Sequence, residues 1–154
     1  SEQDENAKME DTFTPFFSGV DTVIMGRKTY NQIVTELSPG QWSYEGATTY
    51  VLTRHGETDN AENIRFKNMD VYRLIEASKQ ESEGKDIWIC GGAEVARQLI
   101  SSNMIDTYHL AVIPVLLGNG IRLFGTTDRK IKLEMVGTKE YNGIIEMVYS
   151  RRNI

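Results

Sequence analysis

Three short apolar runs, each rich in β-branched residues and two of them followed closely by a helical pattern, constrain the fold of this chain more than any other feature. VDTVIM (20–25) runs into RKTYNQIVTEL (27–37), where Tyr30, Ile33, Val34 and Leu37 recur at helical spacing. TTYVLT (48–53) and IRF (64–66) read as strands, and VYRLIEASKQESEG (71–84) reads as a helix apolar on one side and closed by Gly84. DIWIC (86–90) is a third buried strand. The tight turn Gly91-Gly92 follows it, then a helix over AEVARQLISS (93–102) with Val95, Ala96, Leu99 and Ile100 on one face. Strands alternating with helices predict an α/β fold whose core strands are parallel.

The end of the chain changes style. TYHLAVIPVLL (107–117), KLEMVGTKEY (132–141) and GIIEMVYSRR (143–152) read as strands with no helix between them, and Asn142-Gly143 is a strong two-residue hairpin signal. An antiparallel edge is therefore expected to close a mostly parallel sheet. SPGQW (38–42) is a loop, RHGETDNAEN (54–63) a polar turn, and SEQDENAKMED (1–11) begins as a loop or frayed end. No internal repeat, linker or low-complexity segment interrupts the chain. Its 154 residues, 40% of them hydrophobic, suit a single domain over 1–154.

Charge and cysteine content exclude several functions. A net charge of -5 argues against a general binder of nucleic acid or anionic membrane, which would carry excess Lys and Arg. Basic residues gathered at one site become more informative for that reason. Cys90 is the single cysteine, so no intramolecular disulfide can form, and two His beside it make a structural zinc site a poor expectation. With no run near the roughly 18 apolar residues of a membrane span and no signal peptide, the chain reads as cytoplasmic.

Two strand-to-helix junctions share one construction: VIM-Gly26-Arg27-Lys28-Thr29 and WIC-Gly91-Gly92-Ala93-Glu94. In an open α/β sheet both helix starts lie at the carboxyl ends of strands, where unpaired N–H groups and the positive end of the helix dipole favour an anion. Arg27 and Lys28 are unfavourable beside that dipole unless an anion is present. Thr53 and Arg54 end a third strand with a hydroxyl and a cation. Three such sites suggest an adenine dinucleotide, with Arg27 and Arg54 available for a 2′-phosphate. Each feature also has an ordinary reading: Gly-Gly as turn chemistry, Arg54 as a solvated loop residue. His109 reads as a sheet residue and Cys90 as a small buried group. Trp42 and Tyr44 either flank a substrate ring or cover the core, and Phe13, Phe16 and Phe17 are most simply core.

MGRKTY after an apolar strand, TR at the end of the next, and WICGGAEVARQL later resemble the dihydrofolate reductase superfamily. PVLLGNGIRLF (114–124) narrows the resemblance to the reductase domain of the bifunctional riboflavin-biosynthesis deaminase-reductases and their stand-alone relatives, from about Phe13 to Tyr149. The resemblance implies a mostly parallel sheet flanked by helices, NADPH as cofactor and a homodimer. Gly26, Arg27, Lys28 and Thr29 match the family's segment at the adenosine phosphate and pyrophosphate. Thr53 and Arg54 match the strand end beside the 2′-phosphate, and Gly91, Gly92, Ala93 and Glu94 match the turn around the pyrophosphate. Gly118 and Gly120 resemble a loop that turns back over the active site.

Two departures from the family stand out. Nothing matches its first strand with a Ser-Leu-Asp-Gly-like segment, so the domain is expected to begin upstream of Ser1. Tyr30 stands where dihydrofolate reductases commonly have Trp, so the fold label describes the substrate less well. By family spacing, the acid of the first helix falls on Glu10, with Asp11 beside it, although carboxylates also suit a helix N-terminus. The implied function is an NADPH-dependent reductase of a pterin, pyrimidine or related heterocycle. The alternative is a non-catalytic nucleotide-binding module that kept the cleft, and an apolar upstream strand ending in Asp-Gly would favour catalysis.

Overall fold

Strand β1 (Val20–Gly26) has Val23, Ile24 and Met25 at 0% exposure, so it buries side chains on both faces, as an inner strand of a parallel sheet does. In the computed structural model, which describes residues 12–55 and 63–152, β1 pairs in parallel with β2 (Thr48–Leu52) on one side and with β4 (Asp86–Gly91) on the other. Strand β3 (Ile64–Lys67) adds beyond β2, which gives the order β3-β2-β1-β4. The core around β1 joins Val20, Val23 and Met25 to Ile33, Ala47, Val51 and Ile64. An aromatic shell that includes Tyr30, Tyr44, Phe66 and Trp88 packs against it.

The helices follow their apolar stripes. α1 (Phe13–Phe17) leads into β1, α2 (Arg27–Gln32) leaves it, α3 (Val71–Glu81) precedes β4, and α4 (Ala93–Ser101) follows it. Asp70 caps α3 by accepting from the N–H groups of Tyr72 and Arg73 at 2.8 and 3.4 Å. Beyond the cap, Val71, Leu74, Ile75 and Ser78 form its buried face. The helix expected over 27–37 is α-helical only to Gln32. Residues Ile33–Leu37 form a π-turn in which the Ser38 N–H reaches the Ile33 carbonyl, five residues back, at 2.8 Å. The wider turn takes Leu37 off the buried stripe and leaves it 68% exposed.

The chain divides into two compact units, Phe13–Gln98 and Leu99–Ile154 with Ser1–Thr12. The second holds β5 (Thr107–Val112), β6 (Leu133–Tyr141) and β7 (Ile144–Arg151), antiparallel in the order β5-β7-β6. Asn142 (φ 51°) and Gly143 (φ 77°) both take positive φ, the signature of the tight hairpin turn their sequence predicts. Two expectations are corrected here. The strand predicted over 107–117 stops at Val112, because Pro114 has no N–H to continue a ladder. The C-terminal strands satisfy one another in a sheet of their own; among the described residues no ladder joins them to the parallel sheet. Arg151 closes this unit by pairing with Asp106 at 2.8 Å and donating to the Asn103 carbonyl. Among the described residues no helix is long and apolar enough to cross a membrane.

One side chain ties the end of α3 to the start of β1. The carboxylate of Asp21 accepts from the hydroxyls of Thr22 and Ser82 and from the N–H groups of Glu83 and Lys85, all within 3.1 Å. Burial opposes its charge, but these four hydrogen bonds outweigh burial and hold the carboxyl below its ordinary value of 3.8. Asp21→Ala should cost about 1–3 kcal/mol in denaturant titrations at neutral pH, because it strands the donors of the 82–85 turn. A depressed folded-state pKa contributes stability that is complete above 3.8 and is lost as pH falls through the lower folded value. The gap between wild type and variant should therefore narrow in strong acid.

Candidate functional site

From β1 the chain steps outward to β2 and β3, then crosses back to β4 on the other side of β1. The winding therefore reverses between β1 and β4, and in a parallel sheet such a reversal opens a crevice at the carboxyl ends of the strands. Gly26 ends β1 and Gly91 ends β4, with Met25 in register opposite Gly91. The neighbouring strand ends alongside them, since Gly26 pairs with Leu52 just before Thr53 and Arg54. Three strand ends singled out in the sequence thus stand side by side.

At the reversal the packing is ordinary around Gly26 and close around Gly91 and Gly92. A β-carbon built on Gly26 would lie 3.5 Å from Val95 Cγ2 and 3.8 Å from the Gly92 nitrogen. On Gly91, whose φ is 147°, it would lie 3.3 Å from Thr29 Oγ1, and on Gly92 3.2 Å from the same oxygen. Thr29 of α2 thus presses on the turn that opens α4, and the peptide between the two glycines is cis. Ala96 N–H donates to the Gly92 carbonyl at 3.1 Å, which leaves the first-turn N–H groups of α4, from Ala93 onward, without partners inside the helix. Glu94 sits exposed in that first turn, where a carboxylate suits the dipole with or without a ligand.

The cations divide into two kinds. Lys28 and Arg54 are exposed, whereas Arg27 is half-buried. The Arg27 guanidinium lies 5.7 Å from the Tyr30 ring centroid and 5.5 Å from that of Phe66, and its Nε donates to Asn31 Oδ1 at 2.9 Å. An anion is therefore not needed to explain a cation at this helix start: two ring faces and an amide already hold it. Thr53 is buried and its hydroxyl accepts from the His55 N–H at 3.1 Å, which shapes the turn that carries Arg54.

A cleft of about 630 Å³ in the same unit is lined by Phe13, Phe17, Leu37, Pro39, Trp42 and Glu45, among others. Phe16 and Phe17 are half-buried and pack against the core as expected, whereas Phe13 is 39% exposed, which corrects the expectation for that residue. They form an aromatic wall with Trp88 of β4, whose ring centroid lies 5.3 Å from Phe16 and from Tyr44 and 5.9 Å from Phe13. Trp42 and Tyr44 both pack on the core, and Trp42 also faces the cleft, with its indole N–H buried and unpartnered among the described residues. Residues 13–17 and 37–45 meet only in the fold; the density of aromatics around a Gly/Pro loop was the available signal.

The wall leads to the crevice through Cys90, which directly precedes Gly91 and whose thiol donates to the Tyr44 hydroxyl at 3.8 Å. Burial pushes the Cys90 thiol up, only partly offset by Tyr44, and burial together with Cys90 pushes the Tyr44 hydroxyl up. Both groups stay protonated at neutral pH. His109 lies on β5 as a sheet residue, and Glu10 and Asp11 fall outside the described residues.

Two measurements check this geometry. Gly92→Ala should cost about 1–3 kcal/mol, because its methyl meets Thr29 Oγ1. In the Thr29→Ala background the penalty should shrink by at least about 0.5 kcal/mol, read from a double-mutant cycle of melts. Cys90 should react with a disulfide reagent at pH 8 at least about tenfold more slowly in the folded chain than in urea.

Residues 2–145 match the family described as the RibD C-terminal domain. Two uncharacterized proteins of Bacillus subtilis (strain 168) are similar in sequence. YwjB is 36% identical over 141 residues, covering 90% of this chain and 78% of that protein. YyaP is 30% identical over 148 residues, covering 89% and 77%. Among solved structures, a Shewanella sp. PV-4 protein named for riboflavin biosynthesis superposes with a TM-score of 0.81 at 18% identity, over 94% of this chain and 81% of its own. Acinetobacter baumannii RibD superposes at 0.62 with 14% identity, over 85% of this chain and 47% of its own. The chain belongs to the RibD C-terminal domain family and has its dihydrofolate reductase-like fold.

Proposed function

We propose that the chain is a reductase that uses NADPH at the β1/β4 crevice to reduce a flat heterocycle, a pterin, pyrimidine or relative, held by the aromatic cleft. The observation that carries the reading is the convergence of Gly26, Thr29, Gly91 and Gly92 at the reversal of winding, one residue from a thiol that touches the aromatic wall. Glycines at the turn put no side chain over their own peptides, so a pyrophosphate has close access to backbone N–H groups there. Membership in the RibD C-terminal domain family supports an oxidoreductase, and the Shewanella relative is named for riboflavin biosynthesis.

The chain's own residues then have separable tasks. The first-turn N–H groups of α4 and the Gly91-Gly92 turn hold the pyrophosphate, and exposed Arg54 and Lys28 meet the 2′-phosphate. Arg27, braced by Tyr30, Phe66 and Asn31, contributes a fixed positive charge without losing side-chain freedom on binding. Phe13, Phe17 and Trp42 exclude water and present apolar faces to a planar ring. NADPH, when bound, supplies the hydride. Glu10 and Asp11 are the proton donors that the family resemblance implies. A lone, half-buried thiol suits a reducing cytoplasm.

NADPH should bind at least about tenfold more tightly than NADH in calorimetry. Arg54→Ala should weaken NADPH by about 1.5–3 kcal/mol while leaving NADH unchanged, because only NADPH offers the charge-assisted bonds. Equal dissociation constants for the two nucleotides would remove the 2′-phosphate assignment. Tight NADPH binding without loss of its absorbance across a panel of pterins and amino-pyrimidines would indicate a binding module instead.

A further inference from the structure

The second compact unit has a cleft of its own. About 660 Å³ of space is bounded by Ile100 of α4, Tyr108 of β5 and the chain from Phe124 to Leu133, and its lining shares no residue with the aromatic cleft or the crevice. The walls are of two kinds. Ile100 and Tyr108 are each 8% exposed, and with Phe124, Ile131 and Leu133 they form an apolar side. Arg129, Lys130 and Lys132 are exposed and line the same space, with Asp128 as the one carboxylate among them. Among the described residues none of these cations enters an ion pair. The whole chain has 17 Lys and Arg against 22 Asp and Glu, so this lining locally reverses its charge. The Thr127 hydroxyl donates to the Arg129 carbonyl at 2.7 Å, which fixes the bend that carries Asp128 and Arg129. Tyr108 adds an independent observation. Its hydroxyl is buried and without a hydrogen-bond partner among the described residues, an arrangement that is costly until something supplies one. Burial pushes the Tyr108 hydroxyl above its ordinary value of 10.0, only partly offset by the charge of Arg151, so at neutral pH it keeps its proton to donate.

We propose that this cleft binds a small aromatic phosphate monoester, with its ring against the apolar side, its phosphate on Arg129, Lys130 and Lys132, and the Tyr108 hydroxyl as a donor to it. Size is the first argument. The volume lies within the roughly 300–1,000 Å³ of small-molecule sites, far more than one inorganic ion fills. Charge is the second. Three cations less one carboxylate leave two positive charges, which a phosphate monoester matches with its charge of about -1.5 to -2 at pH 7. A carboxylate ligand brings only one charge. A bare phosphate leaves Ile100, Phe124, Ile131 and Leu133 facing water, whereas an aromatic ring covers them. The inference stands apart from the proposed reductase activity, because no residue of that site takes part in it.

Phenyl phosphate, titrated into the full chain by calorimetry and followed by amide chemical shifts, tests this. Binding should saturate with a dissociation constant below about 1 mM. The largest shifts should fall on Gly125, Thr127, Ile131 and Leu133. Inorganic phosphate and benzyl alcohol, which carry only the anion or only the ring, should each bind at least about tenfold more weakly. Lys130→Gln combined with Lys132→Gln, both at exposed positions, should weaken phenyl phosphate at least about tenfold and leave the thermal melt unchanged. Tyr108→Phe should weaken it about threefold to tenfold yet melt no lower than wild type, because the hydroxyl has no partner to lose. If Tyr108→Phe disturbs folding, the lysine pair carries the test. A folded Tyr108→Phe variant that binds as tightly as wild type would overturn the proposal. So would shifts confined to Gly91 and Gly92, inorganic phosphate bound as tightly as phenyl phosphate, or an affinity that survives the two lysine substitutions.

Discussion

The parallel pairing of β1 on both edges is the constraint on which the first unit depends. A strand flanked in parallel by β2 and β4 must send its connections over the faces of the sheet, and both of its own faces must then be apolar. Val23, Ile24 and Met25 meet that demand at no exposure. The same pairing brings the carboxyl ends of β1, β2 and β4 into line. The position of the crevice is thus a consequence of how the core is paired, and no residue at the crevice has to be stabilised there on its own account.

At that edge Thr29 lies where a β-carbon on Gly91 or Gly92 would have to go, within 3.3 and 3.2 Å of its hydroxyl oxygen. A β-carbon at either glycine would crowd Thr29 Oγ1, which couples the turn that opens α4 to the packing of α2. Arg27 shows the same double membership. Its charge lies at the crevice, yet its guanidinium rests on Tyr30 and Phe66, rings that also pack on the core. One of the three cations at this edge is therefore held by the fold itself, whereas Lys28 and Arg54 are exposed.

The second unit is organised on the opposite principle. Its strands alternate, its hairpin is tight, and its polar ends are anchored by Arg151 on Asp106 and Asn103. A long ordered segment nevertheless turns its leucines and isoleucines outward. Apolar surface left in water is costly in proportion to its area.

Periodicity and turn chemistry alone determined most of the elements: the strands at 20–25, 48–53 and 86–90, the helices after residues 70 and 92, and the Asn142-Gly143 hairpin, because each rests on local spacing or a local dihedral preference. The glycines and cations at the strand ends were visible for the same reason. Tertiary structure alone decided where the pattern was not local. The π-turn at 33–37 exposes Leu37 against its helical spacing, and Pro114 shortens a strand that its apolar neighbours would extend. Arg27 is claimed by Phe66, which lies far along the chain, and Phe13 and Phe17 line a cleft while Phe16 packs against the core. Propensity and spacing speak for neighbours in sequence. Which side chains meet across the sheet depends on the pairing of strands, and only the folded chain specifies that.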